Sequence, residues 1–296
     1  MNRIVSLLPG ATEMVSALGA TAELVGISHE CDFPAEVQHL PRVTATPIDP
    51  EETGGRIDTA VRELVAQGRP VIAVDAELIR GLQPTHLITQ ALCDVCAVAE
   101  GATWRLADVL DPAPAVLNLT GSTLHGVWRD IELLGSALGR AEAGRSLSAQ
   151  LAGRMDALAA RTTADSRPRM LCLEWLDPPF TAGHWVPDLV RAAGAVDLGA
   201  VAGDHSAQRR WSDLRSMEPD LIVIMLCGMD VARSERELAR LDDPDALAAL
   251  SRVPVWILDG NSYTSRPGPR LVDGAERLAA ALEGREMSGL KRWTGR

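Results

Sequence analysis

The feature that most constrains this chain is a short apolar run that recurs between helical patterns. The runs are Ile4–Leu8, Leu24–Ile27, Val71–Val74, His86–Thr89, Ala115–Leu117, Met170–Leu173, Leu221–Met225 and Val255–Leu258. Each is continuous rather than alternating, as expected of strands buried on both faces of a parallel sheet. Between them lie amphipathic segments such as Thr12–Gly19 and Ile57–Gln67, each followed or closed by a glycine that suits a helix end. Strand alternating with helix predicts βαβ units and an α/β class.

One stretch departs from the alternation. From Thr123 to about Thr163 there is neither a strand signal nor a proline. Trp128, Ile131, Leu134, Leu138, Leu147, Leu151, Met155 and Leu158 recur at helical spacing, broken only around Gly139–Gly144. We read one helix to about Leu138 and a second from Ala141 to Arg161, about 30 Å long at roughly 1.5 Å per residue. This divides the 296 residues into an N-terminal α/β lobe (1–138), a linking helix (139–166) and a C-terminal α/β lobe (167–296). A last helix is expected over Leu271–Glu283, followed by a polar tail.

Composition limits the function classes. With 29 Lys and Arg against 40 Asp and Glu, the net charge is -11, which argues against nucleic acid as a partner because phosphate binding needs clustered cations. No run approaches the roughly 20 apolar residues of a membrane span. The start, Met1-Asn2-Arg3 before Ile4–Leu8, lacks the length of a secretory leader. As written, the chain is expected in the cytoplasm; removal of a leader would place it in the periplasm or outside the cell. Aromatic residues are only 3% of the chain, yet seven of them are Trp. Trp128 is expected in the core, and Trp175 and Trp185 at a surface that meets a flat ligand.

In open α/β sheets ligands bind beyond the carboxyl ends of the strands. In the first lobe this rule selects Pro9, Ala11 and Thr12, then His29, Glu30 and Cys31, then Gln90 and Cys93. In the second lobe it selects Trp175, Asp177, His184, Trp185, His205 and Cys227. The pair Cys93-Asp94-Val95-Cys96 lets two thiolates face one ion, and His29 with Cys31 could complete four ligands for zinc or iron. A Cys-x-x-Cys pair also marks redox sites, and the same thiols could contact a ligand or simply pack. Cys172 reads as a small core residue. Asp75 and Glu77 read as a helix cap and a first-turn carboxylate rather than an acid–base pair, and Glu13 as a residue of a helix first turn. No dinucleotide fingerprint, P-loop or Gly-x-Ser-x-Gly occurs.

Several of these segments carry a resemblance. Ile4-Val5-Ser6-Leu7-Leu8-Pro9-Gly10-Ala11-Thr12-Glu13 resembles the opening strand, turn and helix of the helical-backbone substrate-binding proteins of ABC importers. These are the cobalamin and iron–siderophore binders, of the class III periplasmic-binding-protein fold. Leu82-Gln83-Pro84-Thr85-His86-Leu87-Ile88 and Met217-Glu218-Pro219-Asp220-Leu221-Ile222-Val223 resemble their paired lobe strands, and Gly183-His184-Trp185-Val186-Pro187-Asp188 a second-lobe helix entry. Ser265-Arg266-Pro267-Gly268-Pro269-Arg270 resembles the lead into the last helix. The likeness runs over about residues 3–283 and is strongest to a leaderless, cobalamin-binding-like branch with His-Glu-Cys-Asp and Cys-x-x-Cys segments. It implies two α/β lobes joined by one helix, a corrinoid or metal chelate as ligand, and an ABC importer permease as partner. Two readings follow. One is a binding protein that catalyses nothing. The other is a cytoplasmic metal-handling protein or thiol- or metal-dependent enzyme built on Cys31, Cys93 and Cys96.

Overall fold

The computed structural model describes residues 2–90, 100–161 and 167–295. Its first half runs β1 (Ile4–Ser6), α1 (Pro9–Ala17), β2 (Leu24–Ile27), β3 (Thr44–Ala45), α2 (Gly54–Ala66), β4 (Ala73–Val74), α3 (Ala76–Leu82), β5 (His86–Gln90), α4 (Glu100–Asp108) and β6 (Ala115–Leu119). Helices α5 (Leu124–Ala137) and α6 (Ala141–Ala159) follow. The second half runs β7 (Arg169–Leu176), β8 (Pro179–Thr181), α7 (Val186–Ala193), β9 (Val196–Asp197), β10 (Ala207–Gln208), α8 (Trp211–Ser216), β11 (Leu221–Ile224), α9 (Val231–Arg240), α10 (Pro244–Leu250), β12 (Val255–Leu258), α11 (Gly260–Tyr263), α12 (Leu271–Leu282) and β13 (Leu290–Trp293).

The first sheet is parallel, in the order β2-β1-β5-β6. The second has a parallel centre, β7-β11-β12, with antiparallel edges: β8 and β10 on one side, β13 on the other. The fold is therefore α/β, as the alternation of runs implies. Two local readings change. The run at Val71–Val74 shortens to β4, which pairs antiparallel with β3 in a separate ribbon instead of joining the parallel sheet. The tail after the last helix is not free, because β13 pairs with β12 and buries Leu290.

Helix boundaries follow local chemistry. Thr53, Asp75, Thr123, Asp230 and Asp259 each accept a backbone N–H from the first turn of the helix they precede. Helix α1 starts at Pro9, earlier than its apolar pattern implies, because a proline at the first position has its φ already set and no N–H to satisfy. Helix α6, about 28 Å long at 1.5 Å per residue, packs on α5, α7 and α12. At the α5–α6 crossing a Cβ on Gly135 would stand 2.8 Å from Gly144 Cα, so two glycines let the backbones meet. Arg154 of α6 reaches Asp273 at 2.7 Å and Glu276 at 2.8 Å on α12. One apolar core, from Ile4 and Ile88 through Trp128 to Trp256 and Leu290, runs through both halves. Among the described residues no helix is long and apolar enough to cross a membrane.

A charged brace ties α1 to the segment before α12. The Glu13 carboxylate, 3% exposed, accepts from Arg270 Nε at 2.9 Å and Arg270 Nη2 at 2.5 Å, and from Arg266 Nη1 at 3.3 Å. Arg266 also forks onto Asp32 and donates to Asn261 Oδ1 at 2.7 Å. Burial pushes the Asp32 carboxyl up, but the Arg266 guanidinium outweighs it and holds the group below its ordinary value. Gly10 lies so close to the Pro267 carbonyl that no side chain fits between them. Removing one partner from a buried ion pair strands the other charge. Glu13→Ala should therefore lower the free energy of unfolding by about 3–5 kcal/mol in urea denaturation. Removing Glu142 from its solvent-exposed pair with Arg145 should cost under about 1 kcal/mol.

Candidate functional site

The carboxyl ends of β1, β2 and β5 and of β7, β11 and β12 lead into one cleft. At these ends or just beyond them come Pro9 and Gly10, His29 and Glu30, Gln90, Glu174 and Trp175, Met225 and Cys227, and Asn261. The cleft holds two joined cavities. The upper has a volume of about 600 Å³ and the lower about 270 Å³. Val61, Gln90, Cys227, Ser265 and Pro267 line both and form the passage between them. Their volumes fall within the range of small-molecule sites, about 300–1,000 Å³ when taken together.

The upper cavity is walled by Phe180, His184, Trp185, Val186, His205 and Met225. His184 is held in a left-handed conformation, φ 53°. Its N–H donates to the Asp204 carbonyl at 2.6 Å and its own carbonyl accepts from Gly203 at 2.8 Å. Gly183 must be glycine here, since a Cβ would stand 2.6 Å from that Asp204 oxygen. This crossing sets the His184 ring edge-on to His205, centroids 5.2 Å apart, and 5.5 Å from Trp185. Burial, with His205 adding to it, pushes the His184 imidazole down and favours its neutral form. Its Nε2 is buried without a hydrogen-bond partner. Trp185 is fixed by its indole N–H, which donates to the Thr264 carbonyl at 2.8 Å.

The lower cavity is more polar. His29 Nδ1 lies 2.7 Å from Thr44 Oγ1, and burial, then Arg42, pushes its imidazole down. Burial raises the Glu30 carboxyl. Trp175 lines the same space, with its Nε1 buried and unpartnered, as is Gln90 Oε1 at the passage.

The roof is α2. Ile57 and Val61 face the lower cavity, and Asp58, Val61, Arg62, Val65 and Ala66 the upper. It is bonded to the second lobe at its start and again at Arg62. Gly54 N–H donates to Glu237 Oε2 at 2.8 Å, Arg233 Nη2 donates to the Glu52 carbonyl at 2.7 Å, and Arg62 donates to Gln208 Oε1 at 3.0 Å. Gly55 packs against the Asp177 carboxylate with no space for a side chain.

The structure brings together most of the residues selected from sequence. Pro9, His29, Glu30, Gln90, Trp175, His184, Trp185, His205 and Cys227 all line the cleft. Ala11 and Thr12 do not; they are buried on the inner face of α1, where Thr12 Oγ1 donates to Ser6 Oγ at 2.8 Å. Asp177 sits outside the cleft, on a surface groove under the roof's start. Cys31 points inward, 1% exposed, with its Sγ 3.1 Å from Thr12 Oγ1 and its thiol pushed up to about 11 by burial. Cys93 and Cys96 lie outside the described residues, and among the described residues no group of three or more His, Cys, Asp and Glu is arranged around an ion site. Trp128, Trp211 and Trp256 are core residues, and Trp104 is an exposed residue of α4. Sequence reasoning missed the roof. It marked Ile57–Gln67 as a helix, but an apolar stripe gives no sign of whether it covers a core or a cavity.

With this geometry the relationships of the chain are clear. Residues 4–250 match the sequence profile of the periplasmic binding proteins, and the chain belongs to that family of substrate-binding proteins. A periplasmic heme-binding protein from Pseudomonas aeruginosa superposes with a TM-score of 0.74 at 20% identity, covering 100% of this chain and 99% of that one. The periplasmic vitamin B12 binding protein BtuF of Vibrio cholerae gives 0.67 at 20% identity, covering 95% and 96%. The periplasmic heme-binding protein HutB of Vibrio cholerae gives 0.67 at 20%, covering 95% and 98%. At such identities these likenesses establish the fold. A comparison with curated protein sequences found no match.

The roof's bonds to the second lobe give a measurable consequence. Glu237→Ala removes the acceptor for Gly54 N–H, so hydrogen exchange at the first amides of α2 should accelerate about tenfold. Exchange in β5 should stay unchanged.

Proposed function

We propose that this protein captures a flat, metal-chelating macrocycle of the corrinoid or related tetrapyrrole class in the cleft between its lobes and hands it to an ABC importer. The observation that carries the reading is the roofed, two-chambered cleft at the carboxyl ends of both sheets. Its larger chamber combines aromatic and apolar walls with a neutral imidazole. Such a surface supplies affinity by enclosure, and its few polar atoms set orientation. The names of the solved relatives, which include vitamin B12 and heme binders, point to the same ligand class. That these relatives are periplasmic proteins favours a site of action outside the cytoplasm.

The position of Cys31 favours binding over thiol chemistry. A thiol raised to about 11 and hidden beneath α1 is protonated at neutral pH and out of reach of a cleft ligand, whereas the thiolate is the nucleophile and metal ligand. Zinc or iron held by His29, Cys31, Cys93 and Cys96 would require that thiol to turn outward.

Titration with cyanocobalamin, dicyanocobinamide and hemin, followed by absorbance, should give saturable one-site binding for at least one of them. The bound ligand should slow iodoacetamide labelling of Cys227, measured by peptide mass spectrometry. Cys31 should label slowly with or without ligand. Trp185→Ala should weaken binding about tenfold or more. No binding by any of the three compounds would overturn the proposal.

A further inference from the structure

One loop holds the part of the upper chamber that carries His184 and His205. It is anchored at both ends. Leu198 N–H donates to the Met170 carbonyl at 2.9 Å, and Ala207 and Gln208 pair with β8. Between these anchors Gly203 and Asp204 bond the His184 carbonyl and N–H at 2.8 and 2.6 Å. The start of the loop is tied down by Asp197, the last residue of β9. Asp197 Oδ1 accepts from Gly199 N–H at 2.6 Å and from Ala200 N–H at 3.0 Å. Thr181 Oγ1 of β8 donates to the Gly199 carbonyl at 3.2 Å. A Cβ on Gly199 would stand 2.7 Å from Thr181 Cβ, so the loop sits tight against β8.

The other carboxylate oxygen, Asp197 Oδ2, is buried without a hydrogen-bond partner, and no cation pairs with the group among the described residues. On β7 its titratable neighbour is Cys172, whose buried thiol is pushed up and stays protonated. On β8 Thr181 presents only a hydroxyl, and on α7 the charges of Asp188 and Arg191 close on each other at 2.7 Å. Burial pushes the Asp197 carboxyl up to about 6, against the pull of the two N–H groups. With the loop lifted, water reaches the carboxyl and returns it to its ordinary value of about 4. The shut loop therefore holds a proton more strongly than the lifted one. That advantage is full below about pH 4, is lost as pH rises to about 6 and changes no further above it. His184, beside His205 at the far end of the loop, is pushed down by burial, so its protonation in acid acts in the opposite sense.

From this arrangement we infer that residues 198–206 form a proton-operated latch on the upper chamber, shut when Asp197 is protonated and loosened when it is ionised, with the His184 backbone as the part it frees. The latch belongs to the wall of the cleft and does not rest on the ligand class proposed above. Its physical basis is the buried carboxylate oxygen that no donor meets: an ionised group there is relieved by lifting the loop, a protonated one is not.

The test needs no ligand. Hydrogen exchange of the full chain is followed at pH 7 and pH 5, with each amide's protection corrected for the intrinsic effect of pH and referred to the amides of β11. Protection of Gly199, Ala200, Gly203 and His184 should rise about tenfold from pH 7 to pH 5. Asp197→Asn, neutral at both values, should abolish that rise. In the unaltered chain the carbon-13 resonance of the Asp197 carboxyl should titrate with a midpoint of about 6, a reading that does not depend on the variant folding. A midpoint of about 4, equal protection at the two pH values, or a variant that keeps the rise would each overturn the inference and leave the proposed function untouched.

Discussion

The arrangement of this molecule depends on one buried ionic contact, the carboxylate of Glu13 between Arg266 and Arg270. A carboxylate this deep is tolerated only when it is paired and hydrogen-bonded. Its partners come from the other end of the chain. Satisfying Glu13 therefore pins the start of α1 to the segment leading into α12, and with it the mouth of the first sheet to that of the second. Asp32 and Asn261 complete the network from both sides. The contact of Gly10 with the Pro267 carbonyl leaves no slack beneath it. Because Pro9, Ser265 and Pro267 line the cleft, the brace also fixes the cleft's floor.

Against that floor, the roof is held differently. Helix α2 rises from the two-residue ribbon of β3 and β4 and meets the second lobe through backbone groups, Glu237 and the Arg62–Gln208 side-chain bond. Its own ion pair, Asp58 with Arg62, is of the half-exposed kind that contributes little to stability. A buried brace below and a lightly bonded helix above suit a cleft that keeps its lobes in place and admits its ligand past one edge.

The same economy explains the cleft's charge. The arginines nearest the cavities, Arg62, Arg233 and Arg266, are each engaged in holding the lobes or the roof. A guanidinium already shared among carboxylates and carbonyls has little left to offer an incoming anion.

Much of this was legible in the sequence. The continuous apolar runs located β1, β2, β5, β7, β11 and β12, since a strand buried on both faces needs no polar alternation. The strand-end rule then placed His29, Gln90, Trp175 and Cys227 around one cleft, because the carboxyl ends of parallel strands share an edge; His184 reaches the same cleft from the loop after the antiparallel β8. What escaped were choices among partners far apart in the chain. Glu13 read as an ordinary first-turn carboxylate, Ile57–Gln67 simply as a helix, and the last residues as a polar tail, while Cys31 stood open between a metal ligand, a ligand contact and a packed thiol. Periodicity and capping chemistry are local and determined which segments are helix or strand and which ends carry chemistry. Only the tertiary structure decided which charge meets which, what the apolar stripe of α2 covers and which side chains remain unpartnered, because those are properties of surfaces brought together from 250 residues apart.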